Sequence, residues 1–327
     1  MIFEFTARKD FDFITDFSEK FHFPVQDGLL SFPKEIGEGF VRKIAFSPDF
    51  RILMHRYKLK EDFIIIRNPA LEKNDLISIF FNNNEQPLDL VYNEEQTVKF
   101  SRKNDSAIQV TTPDLNSIIR FPAHTETHYI VIGITSQKLA ELLNIKQPNS
   151  LIETITSGVA SFLYFESMTV EIQHLLKHIF SINVNEALGP FFIQIKVQEL
   201  LFHLFDKLIK REYTTHKHIN NDDAERLMKL RTIILSDLSV PPSLTSLSAM
   251  IGMSETKMKQ LFKQTFGTSI YNYFQKVRME EAAFLLKQGG YSVSQVGYEL
   301  GFTNLSHFSR LFESHYGTTP KKFSSVV

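Results

Sequence analysis

An α+β chain of several parts is predicted: a β-barrel or sandwich up to about residue 134, a helical segment to 212, and an all-α C-terminal domain holding two helix-turn-helix units. Three observations predict it. Eight short runs rich in Val, Ile, Phe and Tyr, with turn chemistry between them, lie within residues 41–134. From residue 137 the apolar residues change to helical spacing. Finally, LTSLSAMIGMSETKMKQLFKQTFGTSIYNYF (244–274) recurs as VSQVGYELGFTNLSHFSRLFESHYGTTPKKF (293–323), with Gly252 answering to Gly301, Phe262 to Phe312 and Gly267 to Gly317.

Composition bounds the reading. A length of 327 residues fits two domains at roughly one per 150, and 43% hydrophobic residues with 31 Phe supply ample core material. There is no Cys, which excludes disulfides and thiolate metal sites. No basic stretch followed by an apolar one opens the chain, and no apolar run is long enough to span a bilayer, so a cytoplasmic protein without a membrane partner is expected.

The predicted strands are 41–46, 51–58, 63–67, 76–81, 97–100, 106–110, 116–121 and 129–134. Ser47-Pro48-Asp49, Asn68-Pro69, Asn82-Asn83-Asn84, Lys103-Asn104-Asp105 and Thr112-Pro113-Asp114 separate them as turns. Strands at this rhythm make a barrel or sandwich. A helix over 168–182 carries Ile172, Leu175, Leu176, Ile179 and Phe180 on one face. The next, 191–209, is apolar on two sides; one side is expected on the barrel and the other against the same helix of a second copy, giving a homodimer. Residues 213–222 are polar with little to bury and read as a linker. Asp222 or Asp223 then caps a helix over 224–238, which Pro241-Pro242 ends. The divisions expected are therefore 1–134, 135–212, 213–222 and 223–327.

Metal chemistry is the rival to weigh. His22, His55, His124 and His128 form no close His-x-His pair, and His124 and His128, four apart on a strand, lie about 13 Å from each other. Glu171, His174 and His178 sit one helical turn apart and could form a clip, whereas His216 and His218 lie in the linker. Histidines beside an apolar stripe or in a polar stretch are more often flanking or solvated residues, so no metal and no cofactor is expected.

Each repeated unit can be built locally. In the first, a helix over 246–251 places Leu247, Met250 and Ile251 at helical spacing, Gly252 turns the chain, and Ser254 caps a second helix over 255–266. Met258, Leu261, Phe262 and Phe266 form its packed side, leaving Thr256, Lys259, Gln260 and Lys263 largely outside. In the second, Val296 and Leu300 precede the Gly301 turn, Asn304 caps, and Phe308, Leu311 and Phe312 form the stripe; Leu305, Ser306, Ser309, Arg310 and Glu313 face outward. Between the units, 270–287 lacks Gly and Pro and reads as a rod about 27 Å long. Such a rod suits two helices placed one duplex turn apart, about 34 Å. One such unit alone is common in helical cores; two matched units point to double-stranded DNA.

These strings resemble the AraC/XylS family of transcription regulators. The likeness covers 223–327 and rests on Met253-Ser254, Leu261-Phe262-Lys263, Gly267, the stretch from Arg278 to Leu286, Gly301-Phe302-Thr303-Asn304, His307-Phe308-Ser309-Arg310, Phe312 and Gly317-Thr318-Thr319-Pro320. It implies base reading by Thr256, Lys259 and Gln260 in the first unit and by Leu305, Ser306, His307 and Arg310 in the second. Members of the family often carry a small-molecule-sensing, cupin-like barrel in the N-terminal part, which this chain resembles in layout only; an unidentified small-molecule effector there is expected to alter operator choice or contact with RNA polymerase. A barrel serving only as a protein-binding platform, or a metal-dependent cupin enzyme, stays open beside it. Gly297 and Ser248 stand where the family usually has Ala, and Leu305 where a polar reader is usual.

Chemistry agrees with the implied roles. Arg310 can grip a guanine edge or a phosphate with two parallel bonds, Gln260 suits an adenine edge, Lys259 brings a point charge, and Leu305 can touch a thymine methyl. Lys257, Lys263, Lys321 and Lys322 are backbone-contact candidates that equally suit plain solvation. From residue 223 onward, 12 basic residues face 8 acidic ones, against 24 and 29 before it. A mildly basic reader on a slightly acidic body fits specific binding better than general adhesion to nucleic acid.

Overall fold

The computed structural model describes residues 1–8, 11–70, 72, 74–84, 88–93, 96–100, 106–211 and 216–325, and the elements below are those of the described residues. They fall into two compact units, Met1–Glu225 with Gln264–Gly267, and Arg226–Lys263 with Thr268–Val327.

The first unit begins β1 (Ile2–Thr6), α1 (Phe13–Phe21), β2 (Val25–Gln26), β3 (Leu29–Ser31), β4 (Gly37–Ser47), β5 (Phe50–Leu59) and β6 (Phe63–Asn68). It continues β7 (Leu76–Asn82), β8 (Leu88–Asn93), β9 (Gln96–Phe100), β10 (Ile108–Thr111), β11 (Ser117–Phe121) and β12 (Glu126–Thr135). Then come α2 (Ser136–Leu143), α3 (Ser150–Thr156), β13 (Leu163–Glu166), α4 (Val170–Ser181) and α5 (Gly189–Ile209). α6 (Asn221–Ser236) crosses into the second unit, which holds α7 (Leu244–Ile251), α8 (Glu255–Phe266), α9 (Ile270–Gln288), α10 (Val293–Glu299), α11 (Leu305–Tyr316) and α12 (Pro320–Ser325).

Two sheets face each other: β1-β6-β11-β8-β9 and β13-β10-β7-β12-β5-β4-β3-β2. Phe121 of the smaller sheet stacks on Tyr129 of the larger one, centroids 5.1 Å apart. All eight predicted strands are present, with β4 and β12 longer than expected. Besides β1, β2, β3 and β8, which no predicted run covers, four further features depart from the sequence reading. Residues before 41 hold α1, whose Phe13 and Phe17 join Phe3 and Phe23 in an aromatic plug. Asp12 caps that helix through the amides of Ile14 and Thr15. The stretch expected to be wholly helical contains β13, paired with β10 from Thr111↔Leu163 to Ile108↔Glu166. α6 is capped by Asn220, which accepts from the Asp223 amide at 2.8 Å, rather than by Asp222 or Asp223. In the linker stretch, Ile219 is fully buried, and residues 213–215 lie outside the described ones, as does the turn at 103–105.

Alternation along the strands gives the larger sheet two different faces. Ile52, Met54, Ile77, Ile79, Ile130 and Ile132 point to one side and share a single core with Ile155, Ile172, Leu176, Ile193, Leu200 and Leu204 of α3 to α5. Each fully buried aliphatic side chain there contributes about 1.5–3 kcal/mol. The opposite positions, among them Arg51, His55, Gln109 and Tyr129, look toward the smaller sheet and line a cavity of about 130 Å³ with its Ile65, Arg67 and Ile119.

Candidate nucleic-acid interface

The first reading unit is assembled from α7 and α8. Ser243 caps α7 two residues earlier than expected, Leu247 and Ile251 are buried, and Met250, predicted to pack, is 58% exposed. A helix this short has one inward stripe, and Met250 lies just off it. Gly252 turns the chain at φ 64 and its carbonyl accepts from Arg226 Nη1. The Ser254 hydroxyl accepts from the Lys257 amide at 3.4 Å. Met258, Leu261 and Phe262 of α8 are buried, while Thr256, Lys259 and Gln260 are exposed and Lys263 is half-buried. Lys259 Nζ lies 3.5 Å from Glu255, one helical turn back, so a phosphate would compete with a solvated carboxylate for it.

The second unit repeats the plan with tighter capping. Ser292 and Gln295 form a reciprocal capping box at the start of α10. Gly301 sits at φ 74, where a Cβ would strike the Ser239 carbonyl, so both conformation and space require glycine. Asn304 caps α11 by accepting from the His307 amide at 3.0 Å. Phe308 and Phe312 are buried; Ser306, His307 and Arg310 are exposed. Arg310 Nε reaches back to the Ser306 carbonyl at 3.4 Å, and the His307 ring lies edge-on to Phe302.

Leu305 differs from the outward reader expected. It is half-buried, because the missing side chain of Gly297 leaves a gap that its Cδ2 enters: a Cβ on Gly297 would come within 2.6 Å of that methyl. The two departures from the family pattern thus meet in space.

α9 holds both units. Its first half packs Tyr273 edge-on against Phe262, and the Tyr273 hydroxyl accepts from Arg231 Nε at 2.7 Å. Met279, Ala282, Ala283 and Leu286 of its second half share one core with Val296, Leu300, Phe308 and Phe312. Arg278, on the rod between these halves, is buried and donates from Nη2 to the Leu300 carbonyl, its guanidinium 3.8 Å from the Phe302 ring centroid. Burial pushes its pKa down from the usual arginine range. Arg278 entered the sequence reading only as part of a motif; a basic residue on the inward side of an apolar helix was the available signal.

Of the rival metal positions, His174 and His178 are exposed. Among the described residues no group of three or more His, Cys, Asp or Glu is placed to hold a metal ion. Also among them, no helix is long and apolar enough to cross a membrane.

Comparison with known proteins places this geometry. A family model described as a helix-turn-helix domain matches residues 247–325. The HTH-type transcriptional activator CsvR of Escherichia coli is 23% identical over 276 residues, 82% of this chain and 96% of that protein. The activator CfaD of Escherichia coli is 33% identical over 95 residues, 29% of this chain and 36% of its own. Among solved structures, the unsaturated fatty acid bound wild-type ToxT of Vibrio cholerae overlays 85% of this chain and 95% of its own, at 16% identity and a TM-score of 0.33.

Proposed function

We propose that this chain is a cytoplasmic, sequence-specific transcription regulator of the AraC/XylS type that reads two neighbouring major-groove segments, a reading supported by the helix-turn-helix match over residues 247–325 and the likeness to the activators CsvR and CfaD. One observation carries the two-groove reading: matched faces of α8 and α11 are exposed while their opposite faces are anchored on a single 19-residue helix. Thr256, Lys259 and Gln260 serve one groove, and Ser306, His307 and Arg310 the next, with Leu305 at the edge of its reading face. Bases are specified by the amide and guanidinium groups, and register is set by lysines on phosphates. The reading assigns no reaction to the chain; its output is transcription, through contact with RNA polymerase.

The N-terminal unit supplies control and pairing. A small molecule between the two sheets would shift the regulator between states in proportion to its different affinity for each. Pairing is carried by α5. Leu188, just before it, and Ile195, Phe202 and Ile209 recur every seventh residue and are 41–71% exposed, while Val197, Leu201, Leu204 and Leu208 are buried on the other side. An exposed apolar residue at one position of each heptad supplies half of the paired positions that line the seam of a two-helix coil, and a second copy of α5 is the partner that suits it.

Selection of DNA from a random pool by the full chain tests the reading. Enriched sites should be bipartite, and Gln260→Ala and Arg310→Ala should relax preference at base steps about 10 base pairs apart. No enrichment over the starting pool, or one shared footprint for both variants, would overturn it.

A further inference from the structure

The turns that present the two reading helices are built on one plan. In the first, the amides of Gly252 and Met253 return to the carbonyls of Ala249 and Ser248, at 3.2 and 3.1 Å. In the second, the amides of Gly301 and Phe302 return to the carbonyls of Tyr298 and Gly297, at 2.8 and 2.9 Å. Ile251 and Leu300 therefore hold the same place, the last position before each turn glycine. A helix end leaves carbonyls that no amide of the same helix can reach, and in both units an arginine from the preceding long helix answers them. Arg226 of α6 donates from Nη1 to the Gly252 carbonyl and, at 3.5 Å, to that of Ile251. Arg278 of α9 donates from Nη2 to the Leu300 carbonyl.

These arginines are not copies of one another. Arg226 precedes Ile251 by 25 residues, whereas Arg278 precedes Leu300 by 22. Equivalent carbonyls are reached from positions that the duplication does not relate, so repetition of the sequence does not account for both bonds. Gly252 fits the same picture: it sits at φ 64, and a Cβ there would stand only 3.2 Å from Arg226 Nη1, so the guanidinium lies close against the turn.

The turn sets the direction of the helix that follows it. Gln260 stands about 7.5 Å along α8 from its first residue. A tilt of about 10° at the turn would move it by about 1.3 Å, beyond the roughly 0.5 Å that a preorganised contact tolerates. We infer that Arg226 is a positioning residue for DNA reading: its guanidinium fastens the α7–α8 turn and thereby aims the first reading helix, as Arg278 fastens the α10–α11 turn and aims the second. The aim rests on the regulator reading above, whereas the fastening does not.

Amide hydrogen exchange, DNA selection and melting of the full chain and of Arg226→Met test this. Methionine keeps an apolar stem and removes every donor. Exchange without DNA reads the fastening: the amides of Gly252, Met253 and Lys257 should exchange about 10-fold faster in the variant, and those of Gly301, Phe302 and His307 should be unchanged. Equal protection in the two proteins refutes the fastening. Selection from a random pool reads the aim. Base preference in the half-site of α8 should fall about 10-fold, with the half-site of α11 and the salt dependence of affinity unaltered. Uniform weakening across sequences with a shallower salt slope identifies a phosphate contact instead, and a lower melting temperature with unaltered preference identifies a stabilising role alone; either result overturns the inference. Arg226→Gln, whose amide is too short to reach the turn, should reproduce both expected results and keeps the test readable if the methionine variant does not fold. If the unmodified chain enriches no site, the regulator reading fails and the aim with it, while exchange still decides the fastening.

Discussion

Gly297→Ala is the most revealing single change, because two opposed effects of similar size meet there. Gly297 lies inside α10 with helical backbone, and alanine in such a position is favoured by about 1 kcal/mol. Against this, the new Cβ would stand 2.6 Å from Leu305 Cδ2 and 3.2 Å from Phe308 Cδ1. Phe308 is fully buried and can yield only a few tenths of an ångström, whereas the Leu305 methyl ends a half-buried side chain and can swing away. Overpacking of this kind costs about 1–3 kcal/mol, so the variant should be neutral to about 2 kcal/mol less stable in the native background. With Leu305→Ala in place the closest contact is gone, and the same substitution should become neutral or stabilising by up to about 1 kcal/mol. The coupling between the two sites should therefore be about 1–2 kcal/mol, well above the scatter of about 0.5 kcal/mol for independent sites. Denaturant unfolding of the four proteins, followed by far-ultraviolet circular dichroism, measures it. Additive effects within that scatter would refute the placement of Leu305 over Gly297. Displacing Leu305 should also change base preference in the half-site bound by α11 while leaving the other half-site as it was.

Arg278→Lys should destabilise the second unit by about 2 kcal/mol, since an ammonium cannot both bond the Leu300 carbonyl and stack on Phe302; an unchanged melting curve would refute the clamp. Glu166 is largely but not fully buried, which pushes its pKa up, but Arg211 and Lys207 outweigh that and hold it below the ordinary value of 4.5. Its stabilisation is then fully present above the unfolded-state pKa and is lost as pH falls through the lower folded value. Glu166→Gln should be less stable at neutral pH and should flatten the acid limb of denaturant midpoint against pH; an equally steep limb would refute this. Charging the α5 seam with Ile195→Glu and Phe202→Glu should convert a dimer to a monomer by sedimentation without lowering the melting temperature, as both side chains are exposed, 42% and 63%. A dimer that survives both changes would move the pairing surface elsewhere.

Elements governed by neighbours along the chain were legible in the residues themselves. The spacing of Met258, Leu261 and Phe262 set the buried side of α8, and Asn304 set the start of α11. Gly252 and Gly301 marked turns that need positive φ. These depend on helical periodicity and on caps within three residues. The longest strands were equally readable, because alternating Val, Ile and Phe suffices when both faces are covered. Short or aromatic segments were not. α1 is rich in Phe, which favours strands, and the Asp12 cap together with the aromatic plug it completes holds it as a helix. β13 exists because β10 offers it an edge from more than 50 residues away.

The candidate sites divide along the same line. Sequence alone determined that two matched helices each keep one side for packing and one for reading, since that division is written in local periodicity. Tertiary structure alone decided that Leu305 leans into the gap at Gly297 and that Arg51, Arg67 and His55 share one cavity. Those meetings depend on how strands and helices far apart in sequence are brought into register, and no residue's immediate neighbours carry that information.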